Sequence, residues 1–362
     1  MNTETPRIFI AATRQNDGKT TVSLGLLAAL QKYYPRVGYI KPVGQRFVEV
    51  EEKKIDEDTV LMDTVYQLNC PLVDMSPIAV EPDFTRRYLT SANNEVLVKT
   101  ITKAFDRVAW EKEFVVCEGS GHAGVGSVFD LSNAQVARIL HAKVIIVTQG
   151  GIGRPIDEVY LNNAVFEKEG VELIGVILNK VHEDKIEQIA DFARRGFKRK
   201  GIDLLGVLPH RRILSSPTLD LIQAELGATV LNRASLNTLV EGVIVGAMSV
   251  NHAVNYFTRG ALVITPGDRE DILLAAAATA SDPAKRLAGI VLSGDIKPDS
   301  GVMGAVERMP FPVMVATQDS YEVASIVHDL IVKTRPFDTE KISVIRDIIA
   351  SHVDVKKILK AL

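Results

Sequence analysis

The sequence predicts an α/β protein, in which a parallel-sheet domain is followed by a smaller α/β domain. Three observations predict it. Short β-branched runs recur between helical stretches from residue 7 to about 210. The segment Ala11-Ala12-Thr13-Arg14-Gln15-Asn16-Asp17-Gly18-Lys19-Thr20-Thr21 joins the first apolar run to a helix. A second alternation of strand and helix begins near Asn237. Together they predict a first domain over residues 1–213, a linker over 214–236 and a second domain over 237–362, a division that suits 362 residues.

The strands of the first domain are read at 7–13, 37–43, 113–119, 143–150, 173–180 and 204–210. Each is a nearly continuous apolar run without polar alternation, as in a parallel sheet covered on both faces. The helices between them are read at 20–34, about 95–110, 132–141, 157–170 and 185–200. The insertion at 49–58 mixes acidic and basic residues as Glu51-Glu52-Lys53-Lys54-Ile55-Asp56-Glu57-Asp58, which predicts a mobile loop leading into a helix. Residues 211–218 read as a connection, followed by a short helix to Glu225 and a turn at Gly227. The second domain then reads as a helix from Asn237 to Val250, strands at 261–265, 288–292 and 312–316, helices at 271–280 and 301–308, and two final helices.

Composition narrows the function classes. Hydrophobic residues make up 46% and charged residues 24%, which suits a globular chain. With 42 basic against 45 acidic residues the net charge is −3, so no electrostatic footprint for nucleic acid or an anionic membrane is present. The run Arg194-Arg195-Gly196-Phe197-Lys198-Arg199-Lys200 ends a helical pattern, where cations suit the helix dipole. Cys70 and Cys117 are the two cysteines; they offer neither a disulfide framework nor metal spacing. Met1 to Arg7 is polar, and no apolar run approaches ~18 residues, so a cytoplasmic location is expected.

The strand-to-helix segment carries the chemistry. Backbone N–H groups at such a turn converge on an anion, the helix start adds partial positive charge, Lys19 adds a full one, and the Thr20 hydroxyl suits magnesium. Asn16, Asp17, Gly18, Lys19, Thr20 and Thr21 are therefore the expected contacts of a nucleoside triphosphate. A helix start capped by Thr20 or Thr21 is the plainer account. Thr13 stands where the usual loop pattern has glycine.

In sheets of this kind the ligand crevice lies beyond the carboxyl ends of the strands. Lys41, in Lys41-Pro42-Val43-Gly44-Gln45, leaves the second strand either as a surface lysine or as a holder of an anionic substrate or transferring phosphoryl group. Glu118, in Glu118-Gly119-Ser120-Gly121-His122, ends the third strand where a carboxylate can bind magnesium. Asp56 and Asp58 precede a helix-like run; either could cap it or supply the second magnesium carboxylate, and Asp58 is the choice. Asn179 and Pro209 end the fifth and sixth strands, where an amide can meet an adenine edge and a proline can pack on the base; both are also ordinary turn residues.

The same segments resemble the dethiobiotin synthetase and cobyrinic acid diamide synthase group of P-loop proteins. The carriers are Gly18-Lys19-Thr20, Lys41-Pro42-Val43, Asp58, Ser76-Pro77 with Glu81-Pro82, Glu118-Gly119-Ser120-Gly121, Asn179 and Pro209. The order Thr13-Arg14 through Gly18-Lys19-Thr20-Thr21-Val22-Ser23-Leu24-Gly25-Leu26 to Lys41-Pro42-Val43-Gly44-Gln45 is similar to the N-terminal region of long bacterial phosphotransacetylases. Gly246-Ala247-Met248-Ser249 and Gly267-Asp268-Arg269-Glu270-Asp271-Ile272 resemble their DRTGG domain, with Asp268 and Arg269 alone remaining of the eponymous motif. Asp268 also suits the cap of the helix that starts at Glu270.

The resemblance implies a P-loop NTPase fold with ATP and Mg2+ as ligands, and a homo-oligomer. Thr20, Asp58 and Glu118 would hold the metal, with Lys19, Lys41 and Glu118 as catalytic groups. It implies a nucleotide-responsive regulatory protein with a small-molecule effector or partner at the second domain. Since the acetyl-transferring domain of the long enzymes comes after the DRTGG domain, no acetyltransferase activity is expected before Leu362. The alternative is a Mg-ATP-dependent synthetase that activates a carboxylate or carbamate by phosphoryl transfer.

Overall fold

The strand β1 (Arg7–Ala12) is buried along its whole length, and it takes the centre of a six-stranded sheet. The structure, a computed structural model, describes residues 1–362. The other strands of this sheet are β2 (Val37–Ile40), β3 (Phe114–Glu118), β4 (Lys143–Gln149), β5 (Leu173–Val181) and β6 (Leu204–Pro209). Their order is β6-β5-β4-β1-β3-β2, and every pairing is parallel. Parallel neighbours need crossover helices, which cover both faces and make the strands uniformly apolar. The register sets Phe9 level with Cys117 on one side and Val144 on the other, so the carboxyl ends of β1 and β3 lie side by side. α1 (Lys19–Leu30) comes directly after β1, and the helices Asn94–Ala109, Asn133–Ile139, Gly153–Lys168 and Ile186–Lys198 complete the layers.

The chain forms two compact units, Met1–His210 with Thr334–Leu362, and Arg211–Lys333. The last 29 residues therefore belong with the first unit, where chain order alone placed them in the second. Helix Thr339–His352 carries a buried stripe of Ile342, Ile345, Ile348 and Ile349, and it lies against α1 so closely that a Cβ on Gly25 would come within 2.2 Å of Ile349 Cγ1. Val353 then bridges to Gly206, and the Asp354 N–H donates to the Leu205 carbonyl at 2.9 Å. The tail thus covers the open edge of β6, a row of backbone groups that would otherwise stay unpaired.

A second departure is the insertion at 49–58, which is a two-stranded antiparallel hairpin, Phe47–Val50 paired with Lys53–Asp56. Its turn places Glu51 at φ 49° and Glu52 at φ 63°. Two consecutive left-handed residues match the twist of the flanking strands. Of the mixed charges that suggested a mobile loop, Glu51, Glu52, Lys53 and Lys54 are exposed at the turn and on the second strand, while Asp56 and Asp58 are buried.

In the second unit, β7 (Thr229–Val230), β8 (Gly242–Val245), β9 (Ala261–Pro266), β10 (Gly289–Ser293) and β11 (Val313–Val315) form a sheet in the order β7-β11-β10-β9-β8. All pairings are parallel except that of β7, which runs antiparallel to β11. Helices Glu270–Thr279 and Ser300–Glu307 pack Ile272, Leu273, Val302 and Val306 onto one face, while Leu219–Leu226 and Ser320–Asp329 pack Leu219, Ile222, Val323 and Val327 onto the other. The stretch read as a linker, 214–236, supplies a buried helix and an edge strand of this unit. The stretch read as a helix from Asn237 contains β8 instead, because Val243-Ile244-Val245 is β-branched and finds a ladder on β9.

Candidate functional site

The loop between β1 and α1 is held from behind by side chains. Gly18 has φ 105°, a conformation that favours glycine, and a Cβ there would lie 2.0 Å from Asn179 Nδ2. Asn179 Nδ2 donates to the Asp17 carbonyl at 2.8 Å, its Oδ1 accepts from the Lys180 N–H at 2.8 Å, and Lys180 Nζ donates to the Asn16 carbonyl at 2.8 Å. The end of β5 is thereby fastened to residues 16–18. Asn179 is buried, and its amide oxygen and one amide hydrogen serve this fastening. Pro209, also buried, ends β6 beside Val181.

Thr13, which departs from the glycine of the usual pattern, has a structural use. Its hydroxyl donates to Asp17 Oδ2 at 2.7 Å and lies 2.8 Å from the Thr148 hydroxyl, while the Arg14 N–H donates to the same Asp17 oxygen at 2.7 Å. Asp17 Oδ1 has no hydrogen-bond partner. Burial pushes the Asp17 carboxyl up to about 6, against the opposing pull of the Thr13 hydrogen bond and Lys19. This latch under the loop turns the Asp17 side chain away from the anion cradle, so among the expected contacts Asp17 offers its backbone. Arg14 itself pairs with Glu158.

Lys19 opens α1, is buried, and donates from Nζ to the Gly121 carbonyl at 3.1 Å. Burial lowers its ammonium to about 8, with Glu118 opposing the shift. The Thr20 hydroxyl donates to Glu118 Oε1 at 2.9 Å. Thr21 is half-buried one step along α1.

Glu118 is fully buried at the tip of β3, and the Tyr39 hydroxyl donates to its Oε2 at 3.0 Å. Lys41 Nζ lies 3.0 Å from Asp56 Oδ1 and 3.8 Å from Glu118 Oε1, and it pairs with Asp58. Lys41 is therefore an internal residue that faces three carboxylates. Burial, which alone would lower its pKa, is outweighed by Asp58, Glu118 and Asp56, so the ammonium is held above its ordinary value. Burial raises the Glu118 and Asp56 carboxyls, and Lys41 opposes both shifts. Asp56 takes the capping role, because its Oδ1 accepts from the Asp58 N–H at 2.9 Å.

Sequence reasoning missed two residues. Tyr39 read as core within an apolar strand, yet its phenol orients Glu118. Asn133 holds the turn after Glu118, with Oδ1 accepting from the Ser120 N–H at 3.0 Å and Nδ2 donating to the Ser120 and His122 carbonyls at 2.7 Å each. A usable signal was Ser132-Asn133-Ala134-Gln135, since Ser132 and Gln135 form a capping box that fixes this helix start.

The donor set suits a hard cation. Thr20, Glu118 and Asp58 present oxygen atoms only, as magnesium requires. An ammonium already sits among the carboxylates, so the position attracts positive charge. No group of three or more His, Cys, Asp or Glu side chains has metal-binding spacing, so a cation here would rest on the hydroxyl, two carboxylates and ligand or water oxygens.

The family comparison agrees with this loop. Residues 6–218 match the AAA domain, with the loop and every residue of the site inside the match. The chain belongs to the AAA domain family. Residues 221–330 match the DRTGG domain. This AAA domain protein is similar to the phosphate acetyltransferase of Nitratidesulfovibrio vulgaris, 26% identical over 359 residues that cover 96% of this chain and 50% of that protein. The phosphate acetyltransferase of Pseudomonas putida is 31% identical over 360 residues, again 96% of this chain and 50% of the relative. The chain spans about half the length of these relatives. Among solved structures it is similar to the septum site-determining protein MinD of Pyrococcus horikoshii complexed with Mg-ADP, with TM-score 0.37, 16% identity, 58% of this chain and 83% of that chain covered. No helix of this AAA domain protein is long and apolar enough to cross a membrane.

Proposed function

We propose that the first unit binds Mg-ATP and that the chain acts as a nucleotide-responsive regulatory protein. The observation that carries this reading is a charge network closed on itself: Lys41 is held by Asp58, Asp56 and Glu118 beside Thr20, while Lys19 is spent on a backbone carbonyl. Lys19 would exchange the neutral Gly121 carbonyl for a phosphate oxygen, a stronger charge-assisted partner. Thr20, Glu118 and Asp58 would hold magnesium, which supplies charge neutralisation of the phosphate chain when bound. Lys41 shares Asp58 and Glu118 with that role, so its present pairing and an occupied site compete for the same oxygens. Lys41, the turn 119–122 and the helix Glu57–Tyr66 are then biased between two arrangements by occupancy.

Asn16, Gly18 and Thr21 border the phosphates in this reading, and Asn179 with Pro209 borders the base. A small-molecule effector at the second unit, a homo-oligomer and a cytoplasmic setting belong to the same proposal. A synthetase reading draws support from Lys41, whose ammonium sits at the carboxyl end of β2 beside the loop, where a carboxylate substrate would be met. Turnover separates the two. Steady-state ADP release is measured for the wild type and Lys19→Ala across a panel of carboxylates; binding with turnover below one per minute under all conditions supports the regulatory reading. Release that one carboxylate stimulates many-fold in the wild type alone overturns it in favour of the synthetase.

A further inference from the structure

The second unit contains a cleft of about 1000 Å³ at the opposite end of its sheet from the Asp268-Arg269 turn. Its base is formed where β9 and β10 begin, at Gly260 and Ala288, and its walls are the last turns of Glu270–Thr279 and Ser300–Glu307, at Ala277 and Ala305. Arg259, Arg286 and Arg308 all line it. All three are exposed, and none is engaged in an ion pair or side-chain hydrogen bond. Arg269, in the same unit, contrasts with them, because its guanidinium is spent on Asp271 and on the carbonyls of Gly246 and Met248. A single carboxylate, Glu241, faces the three cations. Leu287, Met309 and Phe311 close the floor but are themselves buried, so the accessible lining is mainly polar.

We propose that this cleft is a binding site for a small phosphate ester. Unpartnered guanidinium groups present the planar, bidentate donors that phosphate oxygens match. The volume lies at the upper end of the roughly 300–1,000 Å³ usual for small-molecule sites. The flanking helices point their carboxyl ends here, whose partial negative charge gives an anion no help. Recognition therefore rests on the arginines. The site is independent of the nucleotide reading of the first unit, and its residues all lie within the second.

The test is a fluorescence titration of the full chain with 1-naphthyl phosphate, with 1-naphthol and inorganic phosphate as the two halves of that probe. Saturable binding is expected for the ester. Arg286→Glu and Arg308→Glu should each weaken it at least ten-fold, with Arg259→Gln and Arg286→Gln as milder variants should a charge reversal disturb folding by circular dichroism. Lys19→Ala should leave it unchanged. Absence of saturable binding in the wild type, equal affinity for 1-naphthol, or loss of binding in Lys19→Ala but not in the arginine variants overturns the proposal.

Discussion

Replacing Lys41 by methionine removes the cation paired with Asp56, Asp58 and Glu118, all buried, and leaves the more distant charge of Lys19. At an effective dielectric near 20, the contacts at 3.0 Å and 3.8 Å are each worth roughly 4–6 kcal/mol before desolvation. Most of that gross attraction is offset in the wild type by the cost of burying the charges. The variant keeps the cost for the carboxylates and loses the compensation, so the net destabilisation is about 3–5 kcal/mol. For a unit of this size that corresponds to a fall in Tm of roughly 6–20 °C. Because burial already raises Asp56 and Glu118, the stranded carboxyls take up protons, and the deficit should be larger at pH 8 than at pH 5. The assay is thermal unfolding by circular dichroism at both pH values, in EDTA and in excess magnesium. Magnesium should restore a substantial part of the loss in Lys41→Met and do less for the wild type, where Lys41 competes for the same oxygens. A variant within about 2 °C of the wild type, or one indifferent to magnesium, would contradict this role of Lys41.

Two further outcomes concern the loop. Gly18→Ala places a Cβ 2.0 Å from Asn179 Nδ2 at a φ of 105°, so it should abolish ATP binding in an equilibrium titration while the unit remains folded; wild-type affinity would contradict the role given to this turn. The Asp17 carboxyl is raised from 3.8 to about 6, so the stability it contributes is present below the unfolded value and is lost as pH rises through about 6. Asp17→Asn removes that titration. Relative to the wild type it should gain stability between pH 5 and pH 8 in urea unfolding, and a constant difference across that window would count against the latch.

The fold was legible where local chemistry decides local structure. Buried parallel strands are apolar runs, and Gly18-Lys19-Thr20 at a strand-to-helix turn has few other uses, so β1 to β6 and the loop were readable to within a few residues. The hairpin at 47–56 was not, because its left-handed turn is made by Glu51-Glu52 where Asn-Gly would have announced it. β8 was missed because Gly242 interrupts its run and a neighbouring strand, invisible in the sequence, decides its conformation. The tail was misplaced for a related reason: the isoleucine stripe of Thr339–His352 says that a partner exists, while only the close approach at Gly25 says that it is α1. Within the site, the residue types at strand ends were readable one by one. Their mutual use was not, since the Lys41 network joins residues far apart in sequence and Asn179 turns its amide to the loop.

In the proposed function, Lys19 and the Thr20, Glu118 and Asp58 oxygens form one ATP site. Its most direct test is the dissociation constant of ATP for the wild type and Lys19→Ala, each with magnesium and with EDTA, by isothermal titration. Saturable binding by the wild type is expected, at least ten-fold weaker without magnesium, and none detectable in a folded Lys19→Ala. No binding by the wild type, or equal binding by Lys19→Ala, would contradict it.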